Sequence, residues 1–312
     1  MYLIRGLANL RSAQQRTVVT IGTFDGLHLG HQALIAQALE LGQRLRRSAL
    51  MLTFEPMPRE AMHPAAPPAR LTSFRERWRL LERSGLGAVC VLRFNTALQS
   101  LSGEQFVALL HDRLRVAGVV VGHDFHFARG AEASAAALRR AGQASGFDVS
   151  IVEPVLVDGE RVSSSAIRAA LAAGDLVRAS RLLGRPYSMR GRVVAGQRLG
   201  RELGFPTANL RVERRLTPLA GIFAVRVHGI GVAGRRQQAR DGVASLGTRP
   251  TVNGVGMLLE AHVFDFAGDL YGRELEVEFV GRIRDELRFD GLDTLVQQMH
   301  RDAAAARAIL GV

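Results

Sequence analysis

The chain has 312 residues, 47% of them hydrophobic, a mean hydropathy of +0.07 and a formal charge of +12. That length holds two domains with real cores; the composition argues against disorder, and neither a membrane-spanning apolar run nor a signal-peptide core is present. All 41 basic residues are arginines, which excludes a P-loop lysine and Schiff-base chemistry, and the single cysteine, Cys90, excludes an internal disulfide and fits a cytoplasmic setting.

In chain order, Thr17 to Ile21 is β-branched and apolar and predicts a buried strand. Gly22 to Gly26 predicts a tight turn, and from Leu29 the apolar positions Leu34, Ile35, Ala38, Leu39 and Leu41 follow a helical period. His28 and His31 then fall where the strand hands over to the first helical turn. Unpaired backbone N–H groups and the positive end of the helix dipole make that place an anion site. Gly22, Phe24, Asp25 and Gly30 are the accompanying nucleotide-binding candidates, with Gly30 allowing close approach between the imidazoles.

Strands are expected at Ser48 to Phe54, Ala88 to Leu92, Ala117 to Val121 and Val149 to Val152. Helices are expected at Phe74 to Arg83, from a Ser102 cap to Leu114, and at Ala131 to Ser145. A Pro- and Ala-rich loop before Arg70 has the make-up of a lid. This alternation predicts an α/β doubly wound parallel sheet that binds ligands at the carboxyl ends of its strands, where His28, Phe54-Glu55-Pro56 and Gly122 fall. Asp124 follows the most apolar strand and is placed at the nucleotide or flavin end. Ser164 and Ser165 stand at a strand-to-helix junction, and Arg168, one turn inside that helix, aims its fork back at the same N-terminus.

Near Gly184 the texture changes to short β-rich segments: Gly191 to Ala195, Gly221 to Val227, Gly242 to Leu246, Leu258 to Phe266 and Glu274 to Val280. They predict a small antiparallel β-barrel, closed by a C-terminal helix from Leu292 to Leu310 with Leu295, Met299 and Ala303 inward. The expected domains are 1–184 and 185–312. In Gly204-Phe205-Pro206-Thr207-Ala208-Asn209, the proline holds the backbone extended, so Thr207 and Asn209 project on one side as neutral oxygen ligands suited to Mg2+. Gly191, Gly200 and Gly204, with the run from Gly196, are candidates for wrapping backbone amides round phosphates. Gly247 to Thr251 reads as a turn over a ligand. Along Leu258 to Phe266, Glu260 and His262 share a face, so the carboxylate is expected to be either a rim charge facing solvent or a base with a raised pKa.

The stretch Gly22 to Gln32 resembles the signature of the HxGH nucleotidylyltransferases, most closely the adenylyltransferase half of the bifunctional bacterial riboflavin kinase/FAD synthetase family. Gly122 to Phe127 resembles that family's VGxDFxFG stretch, with His126 for arginine and Ala128 for glycine. Ser163 to Arg168 is similar to its Ser-Ser-Thr-x-x-Arg motif, with Ser165 for threonine. Gly204 to Asn209 resembles the riboflavin kinase signature. The resemblance covers nearly the whole chain and implies two reactions: ATP phosphorylates riboflavin to FMN, and FMN then attacks the α-phosphate of a second ATP to give FAD and pyrophosphate. It implies Glu260 as general base of the kinase, Mg2+ through Thr207 and Asn209, and His28, His31, Ser164 and Arg168 stabilising phosphate charge in adenylyl transfer. The ligands expected are riboflavin, FMN, FAD and ATP.

Two rival readings stand beside this one. One is a nucleotidylyltransferase for another phosphorylated acceptor with a non-catalytic barrel, which the Gly-Phe-Pro-Thr-Ala-Asn element argues against. The other is an arginine-rich RNA-binding protein; aromatics at 6% and arginines spread along the chain argue against that one, so neither nucleic acid nor membrane is an expected partner. Separate signatures in each half also lead to the expectation that Tyr187 to Val312 folds and phosphorylates riboflavin alone.

Overall fold

The structure, a computed structural model, describes all residues except 197–199, 201–202, 215, 232–237 and 252–253, and leaves out the side chains of 13 and 248–256. It groups into two compact units, one of Met1–Pro68 with Arg77–Ser163 and one of Ala69–Glu76 with Ser164–Val312. Compactness thus partitions the chain differently from a single boundary near 184.

The first unit runs β1 (Tyr2–Arg5), β2 (Val18–Ile21), α1 (Leu29–Leu45), β3 (Ala49–Phe54) and α2 (Pro58–Met62). Next comes α3 (Phe74–Leu81), inside which the division falls, then β4 (Ala88–Leu92), α4 (Thr96–Gln99), α5 (Gly103–Ala108) and β5 (Gly118–Gly122). The hairpin β6 (His126–Phe127) and β7 (Ala133–Ser134), then α6 (Ala135–Ser145), β8 (Asp148–Val152) and the pair β9 (Leu156–Val157) and β10 (Glu160–Arg161) complete it.

Six parallel strands form one sheet in the order β1-β4-β3-β2-β5-β8. β2, β3 and β4 are buried at every position, which is why they read as continuous apolar runs rather than alternating ones. Val19, Ile21, Leu50 and Leu52 pack with Phe106, Leu110 and Leu138 in one core, each side chain contributing about 1.5–3 kcal/mol by burial. Ile35, Ala38 and Leu41 are the buried stripe of α1, which packs on β2, β3 and β5. From β2 the chain steps to β3 and β4 on one side, while β5 lies on the other. The carboxyl end of β2 is therefore the topological switch point, and residues 22–28 leave the sheet there.

Ser102 caps its helix as expected, accepting from the Gln105 amide, but the α-helix ends at Ala108 and continues as a π turn through Arg113. The helix expected from Ala131 begins only at Ala135, behind a Ser134 cap. Gly130 and Ala131 have left-handed φ of 66° and 56°, which breaks any earlier helical start.

The second unit holds α7 (Ser164–Ala172) and α8 (Leu176–Leu183), which pack on each other. It continues with β11 (Ser188–Val194), β12 (Ala208–Val212), β13 (Gly221–His228), β14 (Arg240–Thr251), β15 (Gly254–Val263), β16 (Glu274–Arg284) and α9 (Leu292–Leu310). The strands close into an antiparallel barrel in the order β11-β12-β15-β14-β13-β16, which leaves no open edge. Met189, Phe223, Leu246, Leu259, Leu275 and Val277 are fully buried within it. The turn expected at Gly247 to Thr251 is instead the far end of β14, paired with β15 as far as Thr251 and Gly254. The ladder register simply carries on through Pro250. The side chains from Thr248 lie outside the described residues. α9 crosses β13, β14 and β16. Leu295 and Met299 line a cavity of the barrel and Ala303 packs against Ala224, Phe264 and Ala306, so the three face inward as expected, while the most buried residues of the helix are Asp302 and Ala306.

Candidate active sites

The turn between β2 and α1 is unusually wound. Phe24, Gly26 and Leu27 have φ of 53°, 80° and 43°, and a left-handed non-glycine residue costs about 1–3 kcal/mol that its surroundings must offset. Several contacts do so. Gly22 N–H donates to the Leu52 carbonyl at 3.1 Å, Leu27 N–H to the Phe24 carbonyl at 3.2 Å, and the Thr53 hydroxyl to the Thr23 carbonyl at 3.3 Å. Phe24 and Asp25 are almost completely buried.

His28 is the N-cap of α1, and its Nδ1 accepts from the His31 amide at 3.3 Å. A neutral His28 in that role carries its proton on Nε2, as a donor. The His28 and His31 rings stack with centroids 3.6 Å apart at 18°, and the Phe24 ring lies 5.1 Å from His31. A Cβ on Gly30 would sit 3.2 Å from Cε1 and Nδ1 of His28. The close approach assigned to Gly30 is thus toward the neighbouring imidazole. The structure brings Gly22, Phe24, Asp25, His28, Gly30 and His31 into this one turn.

Asp124 stands just beyond β5, exposed, with its Oδ2 2.5 Å from Arg161 Nη2. His126 Nδ1 donates to the Asp124 carbonyl at 2.8 Å. In the second unit, Ser164 and Ser165 open α7, and Arg168 Nε donates to the Ala69 carbonyl at 2.6 Å. Arg168 is therefore tied to the last part of the Pro- and Ala-rich stretch.

The second unit also contains a cavity of about 360 Å3 lined by Gly200, Thr207, Asn209, Glu260 and His262. β12 and β15 put Asn209 opposite Glu260, and β14 puts Ser245 on Glu260's other side. His262 Nδ1 donates to the Pro206 carbonyl at 2.9 Å, pinning the segment that carries Thr207. Gly204, at φ 81°, makes the turn that leads in, and Phe205 N–H closes it onto the Gly200 carbonyl at 2.7 Å. A side chain at Gly200 would collide with the Phe205 carbonyl, and one at Gly196 with the Asn209 amide. The rest of the Gly196 to Gly204 run, at 197–199 and 201–202, lies outside the described residues.

Gly191 is not part of this cavity. It pairs in β11 between Val212 and Leu275, where a Cβ would come within 2.9 Å of the Arg211 carbonyl. Its lack of a side chain serves strand packing there.

Sequence reasoning passed over several residues. Arg284 and Asp302 line the cavity and form a two-point ion pair, Nε to Oδ1 at 2.8 Å and Nη2 to Oδ2 at 2.5 Å, with Gln298 Nε2 donating to Oδ1 at 2.9 Å. A signal existed, because Asp302 follows Leu295 and Met299 by seven and three residues, on the apolar stripe of α9. Arg77, whose guanidinium reaches the β2–α1 turn, and Glu76 were also passed over within α3. Glu76 is buried among Arg214 Nη2 at 2.5 Å and the amides of Ser73 at 2.6 Å and Arg190 at 2.8 Å. Burial pushes its carboxyl up, but the Arg214 charge and these hydrogen bonds prevail and hold it below the usual carboxylate range.

Residues 10–166 match the family model for FAD synthetase, and residues 183–310 match that for riboflavin kinase. The chain is 42% identical to a bifunctional riboflavin kinase/FMN adenylyltransferase of Escherichia coli (strain K12), covering 100% of this chain and 99% of that one. It is 45% identical to the protein of the same description from Pseudomonas fluorescens, over 99% and 98% of the two chains. A crystal structure described as a macrolide-efflux protein from Streptococcus pneumoniae superposes with a TM-score of 0.83 at 31% identity, covering 98% of this chain and 99% of that one. Among the described residues, no helix is long and apolar enough to cross a membrane.

Proposed function

The chain belongs to the family of bifunctional riboflavin kinase/FMN adenylyltransferases, and from that premise we propose which of its residues carry each reaction. Its riboflavin kinase uses ATP to convert riboflavin to FMN, and its FMN adenylyltransferase joins FMN to the adenylyl group of ATP with release of pyrophosphate.

For the kinase, Glu260 is the general base. Half-buried beside His262 in the barrel cavity, it takes the proton of the ribityl 5′-hydroxyl as that oxygen attacks the γ-phosphorus and ADP departs. The supporting observation is that one cavity collects Glu260, Thr207, Asn209 and Gly200, which lie up to 60 residues apart. Thr207 and Asn209 would hold Mg2+. Their oxygens are hard neutral donors, and bare glycines at 196 and 200 leave them a cradle that a side chain would fill. When bound, the ion neutralises charge on the phosphates. His262 keeps the Thr207 segment in place through the Pro206 carbonyl.

For adenylyl transfer, His28 and His31 donate to the phosphates of ATP from the start of α1, with the dipole of that helix adding to the field. The FMN phosphate is already an anion, so the step needs positioning and charge stabilisation rather than a base. Ser164, Ser165 and Arg168 form a further nucleotide-binding element at the start of α7, and Asp124 belongs to the flavin or nucleotide end of the sheet. The two catalytic domains are assigned as 1–184 and 185–312. A cytoplasmic setting suits Cys90, a buried thiol that burial pushes up to about 12, away from thiolate chemistry.

Incubation with riboflavin and MgATP, followed by chromatography, tests this reading. FMN should appear first and FAD second. Riboflavin left untouched while supplied FMN is still converted would remove the kinase half.

A further inference from the structure

Among the described residues Arg77 is the largest fully buried side chain, 1% exposed. A guanidinium taken out of water needs directed acceptors. Arg77 Nη1 donates to the Thr23 carbonyl at 2.5 Å, and Nη2 lies 3.3 Å from Glu55 Oε2. Thr23 opens the wound turn, and its carbonyl belongs to the peptide plane that leads into Phe24, at φ 53°. The Thr53 hydroxyl reaches the same oxygen at 3.3 Å from a second direction. A peptide unit moves as a rigid plane, so an oxygen held from two sides stops the rotation that would release Phe24 from the left-handed region. The Phe24 ring lies 5.1 Å from the His31 ring, and His31 stacks on His28 at 3.6 Å. One peptide plane and one ring thus separate Arg77 from both imidazoles.

We propose that Arg77 is a positioning residue for adenylyl transfer: it clamps the Thr23 carbonyl so that Phe24 keeps its left-handed backbone and His28 and His31 stay aligned on the nucleotide phosphates. The inference rests on the assignment of those histidines as phosphate donors. Lysine cannot take over this role. A single ammonium on a flexible stem does not bridge the Thr23 carbonyl and the Glu55 carboxylate as a planar fork does. Because Arg77 acts on alignment, its loss falls on the transition state more than on ATP binding.

The test uses the full-length protein with Arg77→Lys, Arg77→Met and, as a control on the same helix, Glu82→Ala, which removes only the acceptor of Trp78 Nε1 at 3.0 Å. FMN adenylylation and riboflavin phosphorylation are measured on each preparation, with thermal melting as a check on folding. The kcat for adenylylation should fall ~10-fold in Arg77→Lys and ~100-fold in Arg77→Met, with KM for ATP within ~3-fold of wild type. Riboflavin phosphorylation should be unchanged, and Glu82→Ala should match wild type in both. Normal adenylylation in a folded Arg77→Lys overturns the clamp, as does an equal loss of both activities or a defect confined to KM. If Arg77→Met does not fold, Arg77→Lys alone decides. Wild-type protein that makes no FAD would overturn the functional reading itself, which is a separate outcome.

Discussion

Arg214 and Glu76 stand 138 residues apart in the chain and form a buried ion pair, with Nη2 2.5 Å from Oε2 and side chains 1% and 9% exposed. Glu76 also completes a capping box with Ser73 at the start of α3, and Arg214 donates to the Tyr187 hydroxyl at 2.7 Å. One carboxylate therefore closes the start of α3 and meets Arg214, all of these groups lying in the second unit.

Breaking that pair from one side should be costly. Glu76→Gln or Arg214→Met is expected to destabilise the second unit by about 3–5 kcal/mol, since each strands a buried charge or its acceptor. The double variant should lose less than the sum. Urea titration of the three proteins measures both. The same pair bears on the expectation that Tyr187 to Val312 folds and phosphorylates riboflavin alone, because that fragment keeps Arg214 and lacks Glu76. Introducing Arg214→Met into the fragment should raise its melting midpoint, and a midpoint that drops would show the guanidinium to be satisfied without Glu76.

Glu76 also sets an acid limit. Its carboxyl is held below the ordinary 4.5 in the folded protein, so the unfolded chain binds the proton more readily. The stability it contributes is full above that ordinary value and is lost as pH falls through the lower folded value. Melting of the wild type should therefore drop between about pH 4.5 and more acidic solution, with a shallower slope in Glu76→Gln. Parallel slopes would assign the acid transition to other carboxylates.

Glu260→Gln keeps the shape of the side chain in the barrel cavity and removes the proton acceptor. Riboflavin phosphorylation should fall by roughly 10²–10⁴-fold while FMN is still converted to FAD at the wild-type rate. Full kinase turnover would leave Glu260 a structural residue of β15.

Gly30→Ala places a methyl 3.2 Å from two atoms of the His28 ring, close enough that the stacked imidazoles must shift. FAD formation should slow by about 10-fold, and by about 10²–10³-fold in His31→Ala, which removes a phosphate donor outright. Riboflavin phosphorylation is the internal standard. The pH profile of the slowed reaction should keep its shape, because a donor to phosphate is not a titrating base; a lost limb would make His31 one.

Much of this molecule was readable locally. The apolar runs of β3 and β4, the turn after β2, the Ser102 cap and the extent of α9 all follow from side chains acting within a few residues of one another. Gly-Phe-Pro-Thr-Ala-Asn was readable for the same reason, since proline and alternation set where Thr207 and Asn209 point before any tertiary contact exists. Glu260 and His262 on one face follow from strand period alone.

Pairings between distant charges left no such trace. Ser73-Phe74-Arg75-Glu76-Arg77 looks like the start of an amphipathic helix, and nothing within it says that Glu76 is to meet Arg214 or that Arg77 is to hold the Thr23 carbonyl. That Gly191 lies in β11 pressed against Arg211 and Leu210 of β12, apart from the cavity of Thr207 and Asn209, is likewise a tertiary fact. The helix after Gly130 starts at Ala135 rather than Ala131 because the left-handed φ at Ala131 is imposed by its surroundings, not by alanine. Sequence by itself determined most of the elements and the two signatures, because propensity and period are local. The tertiary structure decided which carbonyl, carboxylate and guanidinium share a buried space, because burial of a charge depends on every element packed around it.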